Sequence, residues 1–149
     1  MKAIHFTIVT QERVVYEDEV LRVTVPTRSG EITILPRHAP IVSLLKAGVM
    51  TVYKQDGEHV LSTSGGIIEV RPGSKVVILA DTAERGEEID EERAEAARRR
   101  AEEMLKEKEK LSDVQFAALQ AQIEKEVARI KAARKYRRLP PVRNANAGK

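Results

Sequence analysis

Val77-Ile78-Leu79-Ala80-Asp81-Thr82-Ala83-Glu84 and the run from Glu88 to Lys110 meet where the chain changes physical character. Before this junction apolar residues recur with a period of two. After it, Glu88–Lys110 holds neither Gly nor Pro and is dominated by Ala, Glu, Arg and Lys, a strongly helix-favouring composition. Charge changes at the same place. Residues 1–84 carry nine Lys/Arg against ten Asp/Glu, whereas residues 85–149 carry seventeen against thirteen. The net charge of +3 therefore hides two different objects joined near residue 84.

Upstream, Val20, Val23 and Val25, then Ile32 and Ile34, Val49 and Val52, Val60, and Val76–Ile78 are β-branched residues in short alternating runs. Turn signals separate them at Arg28-Ser29-Gly30, Gln55-Asp56-Gly57, Gly65-Gly66 and Arg71-Pro72-Gly73. Asp56-Gly57 between Val49–Tyr53 and His59–Leu61 predicts a hairpin. Eight to ten short strands fit, spaced for a sandwich or a flattened barrel.

Downstream, Ala94, Ala97, Ala101, Met104 and Leu105 form a thin stripe on a first helix predicted to continue to Lys110. Asp90, Glu91 and Glu92 fall in its first turns and Lys106, Lys108 and Lys110 in its last, as the helix dipole favours. Ser112-Asp113-Val114-Gln115 has the form of a capping box that opens a second helix. Phe116, Leu119, Ile123, Val127 and Ile130 then share one face. The short break at Leu111–Asp113 predicts an antiparallel hairpin, and Pro140-Pro141 stops it. So thin a seam buries little against a backbone ordering cost on the order of 1–2 kcal/mol per residue. The hairpin is expected to be marginal alone, to dock on the β domain or another protein, and to change arrangement.

Composition removes several functions. The chain of 149 residues has no cysteine, which excludes disulfides and thiolate zinc sites. His5, His38 and His59 lack ligand spacing, so no metal site is expected. No run of about 18 apolar residues occurs to cross a bilayer. Met1–Phe6 carries no apolar stretch of signal-peptide length, so no targeting segment is expected. Gly65-Gly66 is followed by no Gly-Lys-Ser/Thr, so it reads as a turn and not a phosphate loop. No acid pair or Ser/His/Asp arrangement suggests an active site, and no cofactor is required.

Two motifs remain. Gly30-Glu31-Ile32-Thr33-Ile34-Leu35-Pro36-Arg37-His38-Ala39-Pro40 is a strand running into a loop stiffened by two prolines, which presents Arg37 and His38. Ile89-Asp90-Glu91-Glu92-Arg93-Ala94 reads, on residues alone, as an ordinary first turn with Arg93 pairing three residues on from Asp90.

These segments, with Ser64-Gly65-Gly66-Ile67-Ile68-Glu69-Val70 and Val77–Glu84, resemble the epsilon subunits of bacterial F-type ATP synthases in order and spacing. The resemblance covers residues 4 to about 136. It implies an α+β protein: a ten-stranded β-sandwich over residues 1–84, an antiparallel helical hairpin over 85–138, and a flexible tail over 139–149. Arg37 stands where the family usually has glycine. The implied role is a non-catalytic rotor-stalk subunit at the cytoplasmic face of a bacterial membrane, held there only through its complex. The implied partners are the gamma subunit and the c-subunit ring, with Glu31 and His38 as the foot on the ring. The hairpin would be a mobile arm that inhibits ATP hydrolysis when Arg134, Lys135, Arg137 and Arg138 meet acidic segments of the alpha and beta subunits. Some relatives bind ATP as a regulatory ligand through an Ile-Asp-x-x-Arg-Ala motif. The matching residues here are Ile89, Asp90, Arg93, Ala94 and Arg100 on the first helix and Lys125 and Arg129 on the second, with Glu84 helping to orient the base. Lys125 stands where an arginine is expected and offers a point charge instead of a fork. The competing readings are a free-standing β-plus-helix binding module and, from the cationic second helix, a nucleic-acid binder. No aromatic platform accompanies that helix, so no nucleic-acid partner is expected.

Overall fold

Residues 3–140 are described by a computed structural model, and all but the first two residues of the tail expected over 139–149 lie outside them. Ten strands come first: β1 (Ile4–Val9), β2 (Val14–Val20), β3 (Arg22–Thr27), β4 (Gly30–Ile34), β5 (Ile41–Leu45), β6 (Gly48–Lys54), β7 (Gly57–Thr63), β8 (Gly66–Arg71), β9 (Lys75–Ala80) and β10 (Ala83–Arg85). Two helices follow, α1 (Glu91–Leu105) and α2 (Asp113–Arg138).

Hydrogen bonding links the strands in the order β10-β7-β6-β3-β5-β8-β9-β1-β2, with β4 also paired to β3. β1 runs parallel to β9. The path folds over between β3 and β5, which meet only at Thr27 and Leu45. One layer supplies Val23, Val25, Met50, Val52 and Leu61 to the core, and the other supplies Ile4, Phe6, Ile8, Ile68, Val70, Val76 and Ile78. Alternation sends every second residue inward, so one apolar set fills the space between the layers.

The β6–β7 hairpin forms, but its two turn residues are Gln55 and Asp56, because Lys54 pairs with Gly57. Gly57 opens β7 at φ 134°. Gly66, at φ 141°, lies so close to β9 that an added Cβ would sit 2.1 Å from the Leu79 carbonyl oxygen. Only glycine fits so close an approach of the two strands.

The first helix is shorter than composition suggests. It ends at Leu105, and a single 3-10 turn covers Lys108–Lys110. Lys106, Lys108 and Lys110 thus lie beyond the last helical turn instead of within it. Past Leu105 the stripe positions carry Lys108 and Glu109, so one more turn would bury nothing against α2. The Ser112 capping box is present: Ser112 Oγ accepts from Gln115 N at 3.2 Å, and Ser112 N donates to Gln115 Oε1 at 2.9 Å.

The hairpin folds back and docks. α2 lies across β6 and β7, covering Thr51, Val60 and Ser62 on the outer face of that layer. Ala128, Ala132 and Ala133 of α2 are buried there or against α1, and Ala94 and Ala101 line the α1 side. Gly86 lets the chain turn from β10 under α2: an added Cβ would meet the Ala132 carbonyl oxygen at 3.1 Å and the Val60 carbonyl oxygen at 3.2 Å. Small residues therefore set the helix-to-sheet distance as well as the helix-to-helix distance.

Candidate functional site

The β4 loop is a tight turn. His38 N donates to the Leu35 carbonyl oxygen at 3.1 Å, with Pro36 at the second position and Arg37 at the third. Arg37 has φ 66°, the left-handed region that a type II turn requires at that position. A residue with a side chain thus takes a glycine-like backbone here, and Arg37 N is held by Ser74 Oγ at 2.9 Å. Glu31 is exposed near the start of β4 and His38 lies past its end, with Nδ1 hydrogen-bonded to the Ala39 carbonyl oxygen at 2.7 Å. No hydrogen bond or ion pair joins the two, and the length of β4 separates them: Glu31 lies by the β3–β4 turn, His38 past the opposite end of the strand, where Arg37 meets Ser74.

A larger surface lies on the layer that the hairpin leaves uncovered. Leu44 pairs with Ile67, and Ile67 with Leu79, so the three form a row across β5, β8 and β9. Val42 flanks it. Val42 is 72% exposed and Leu79 56%, and Leu44 and Ile67 are exposed too. A contiguous apolar face rimmed by polar residues marks a protein contact. The signal was in the sequence: Ile67-Ile68, Ile41-Val42 and Ile78-Leu79 are apolar on both faces of their strands, unlike strands with one wet side.

The hairpin residues take several roles. Asp90 caps α1 by accepting from Arg93 N at 3.2 Å. Arg129 Nε donates to Glu84 Oε2 at 3.2 Å, and its Nη1 donates to Glu126 Oε2 at 2.9 Å. Glu126 is only 5% exposed, so this triad pins the middle of α2 to β10 from inside the interface. Of the residues expected to meet a nucleotide, the fold brings Glu84 and Arg129 into direct contact. Arg93 and Arg100 are exposed on α1, Lys125 is half-buried on α2, and none of the three is in an ion pair among the described residues. Ile89 is half-buried before the Asp90 cap, and Ala94 is buried against α2. A cavity of about 540 Å³ lies under the end of α2, lined by Tyr16, His59, Arg85, Tyr136 and Arg137 among others; none of the expected nucleotide residues borders it. The Tyr16 hydroxyl is buried without a hydrogen-bond partner, and burial pushes its pKa up to about 12.

The cationic end of α2 is partly engaged by the chain itself. Arg134 donates to Glu91 and Glu95, both at 2.7 Å, Arg137 pairs with Glu91, and Lys135 donates to Thr51 Oγ1 at 2.7 Å. Arg138 is exposed. Among the described residues no group of three or more His, Asp or Glu side chains is placed to hold a metal ion. Among those residues no helix is long and apolar enough to cross a membrane.

A sandwich that covers one face with its own hairpin and leaves the other apolar defines a two-part docking protein. Residues 3–86 match the family described as the beta-sandwich domain of the ATP synthase delta/epsilon chain, and residues 87–134 match its long alpha-helix domain. The chain belongs to the ATP synthase delta/epsilon chain family, and its function is that of an epsilon chain in an F-type ATP synthase. The ATP synthase epsilon chain of Chloroflexus aggregans is 42% identical over 134 residues, which cover 90% of this chain and 94% of that one. That of Moorella thermoacetica is 44% identical, covering 89% and 98%. Among solved structures, a chain of the Euglena gracilis mitochondrial ATP synthase, described with OSCP, F1 and c-ring, shares the fold. Its TM-score is 0.72 at 23% identity, over 85% of this chain and 78% of that one. The family match displaces the free-standing module and the nucleic-acid binder.

Proposed function

We infer that this chain is a non-catalytic subunit of the rotor stalk, whose sandwich docks on the gamma subunit and the c-subunit ring and whose hairpin is a regulatory arm. The observation that carries this reading is the exposed row Leu44, Ile67 and Leu79 with Val42, on the layer opposite the hairpin. An apolar face of that kind is expected to be covered in the working complex. Glu31 and His38, at the two ends of β4, are the side chains we assign to the ring. The subunit would sit peripherally at the cytoplasmic face of a bacterial membrane, held by its complex.

The arm reading draws on the interface described above. α2 is docked through small residues and ion pairs, not through a large apolar seam, so a modest bias can release it. The released arm would meet acidic segments of the alpha and beta subunits and inhibit hydrolysis more than synthesis. ATP would be a regulatory ligand of the folded-back arm, favouring it by mass action without turnover.

Measuring ATP hydrolysis by the assembled enzyme with and without residues 86–149 tests the arm. Faster hydrolysis without them is expected; equal rates sink the inhibitory role. A chain ending just after β10 should still bind gamma, and its failure to bind while folded moves docking to the helices. Calorimetric titration of the full chain with ATP, with Arg93→Ala as control, tests the ligand. No heat at millimolar ATP, or equal binding by the variant, leaves Ile89–Ala94 as a helix start alone.

A further inference from the structure

We propose that Glu91 and Glu95 form an acidic clasp that holds Arg134 and Arg137, so that α1 carries the chain's own competitor for the cationic end of α2. The regulatory consequence rests on the arm reading above; the clasp itself does not.

Geometry carries the inference. Arg134 bridges two carboxylates through different guanidinium nitrogens, Nε to Glu91 and Nη2 to Glu95, each at 2.7 Å. Arg137 takes the second oxygen of Glu91. Glu91 and Glu95 are i and i+4 on α1, and Arg134 and Arg137 are i and i+3 on α2, so each pair shares a face. Charge-assisted, forked contacts of this type are stronger than single point contacts. The carboxylates are the inner partners: the Glu91 side chain is 18% exposed and that of Glu95 25%, while both arginines are more open.

Position adds to it. The contact joins the first turn of α1 to the last turns of α2, where helix dipoles favour an acid and a base respectively. The buried residues on the adjoining turns are mostly small: Ala94 on α1, and Ala132, Ala133 and Ile130 on α2. Little apolar area stabilises this end of the hairpin, so charge contributes a larger share there than elsewhere on α2. Of the five cations from Lys131 to Arg138, three are engaged on the chain's own groups, and Lys131 and Arg138 are in no ion pair among the described residues. An external acidic surface must therefore displace Glu91 and Glu95 before it can use Arg134 and Arg137.

Two predictions separate this clasp from ordinary surface pairing. Neutralising either side opens the hairpin, yet the two sides act oppositely on hydrolysis. Glu91→Gln/Glu95→Gln frees the arginines and strengthens inhibition, whereas Arg134→Ala/Arg137→Ala opens an arm that has lost its external contacts and relieves it. The experiment uses the full chain, which has no native cysteine, with spin labels on Glu103→Cys and Gln120→Cys, both exposed. Glu91→Gln/Glu95→Gln should raise the open-to-closed ratio roughly three- to tenfold, as expected for a small network of partly exposed pairs. Raising salt from 0.1 to 1 M should open the wild type and leave that variant almost unchanged. Glu91→Arg/Glu95→Arg should open it further, and adding Arg134→Glu/Arg137→Glu should restore closure. An unchanged ratio in the glutamine variant, or charge reversal that the reciprocal swap does not rescue, overturns the clasp. If the ratio rises but hydrolysis by the assembled enzyme stays constant, the clasp stands and the inhibitory reading of the arm fails.

Discussion

Replacing Arg129 with alanine removes the one guanidinium that lies between Glu84 and Glu126. Removing one partner of a fully buried pair costs about 3–5 kcal/mol because a charge is left without compensation. Here Glu126 is nearly inaccessible, but Glu84 is about a third exposed and water can take over its oxygens. That relief brings the expected loss to about 2 kcal/mol, and it falls on the docking of α2 and not on the strands. Amide exchange across Ala128–Ala133 should then quicken about 30-fold while the core strands keep their protection. Pairing Glu126→Gln with Arg129→Met, neutral groups of similar bulk, should recover most of the loss. Exchange in Arg129→Ala no faster than in the wild type would refute the reasoning. So would a double variant as loose as the single one, since the penalty would then not come from an orphaned Glu126.

Arg37→Gly should raise stability by about 1 kcal/mol in thermal unfolding, because it relieves a left-handed side-chain residue at φ 66° and loses some of that gain to added chain entropy. Gly86→Ala should loosen α2 by about 1–2 kcal/mol, read by proteolysis of the hairpin, since the new Cβ must push on the Ala132 and Val60 carbonyls. The hydrogen bond from Lys54 holds the Asp18 carboxyl below its ordinary value, against the opposing effect of partial burial. A depressed folded-state pKa stabilises above the unfolded value and is lost as pH falls through the folded one. Asp18→Asn should therefore lower stability at neutral pH and flatten the acid limb of a stability-versus-pH curve.

Much of this architecture can be read from residue spacing, and the parts that cannot have a common cause. Val23 and Val25 alternate with more exposed polar residues, and the Ser112–Gln115 box is a local hydrogen-bond pattern, so both are visible one segment at a time. The end of α1 is not, because residues 106–110 are good helix formers that lack only something to pack against. The seat of α2 on β6 and β7 is equally hidden. Ala128, Ala132 and Ala133 look like inert helix filler until a sheet lies beneath them. At the site, Arg129 reads from sequence as a cation for a nucleotide, whereas the fold places it between Glu84 and Glu126, 45 and three residues away. Glu126, three residues away, has the spacing of a helix pair, but a partner 45 residues away leaves no spacing signal. The row of Leu44, Ile67 and Leu79 was visible as doubly apolar strands, but only pairing shows that it is continuous and uncovered.

The docking face is tested most directly by calorimetric titration of purified gamma subunit with the full chain and with its Leu44→Asp/Leu79→Asp variant. Both side chains point away from the core, so the variant should unfold at the wild-type temperature. The account predicts a tight wild-type complex and roughly hundredfold weaker binding by the variant, as for two central anchors of an interface. Equal affinity of the two proteins, or no binding by the folded wild type, would contradict it.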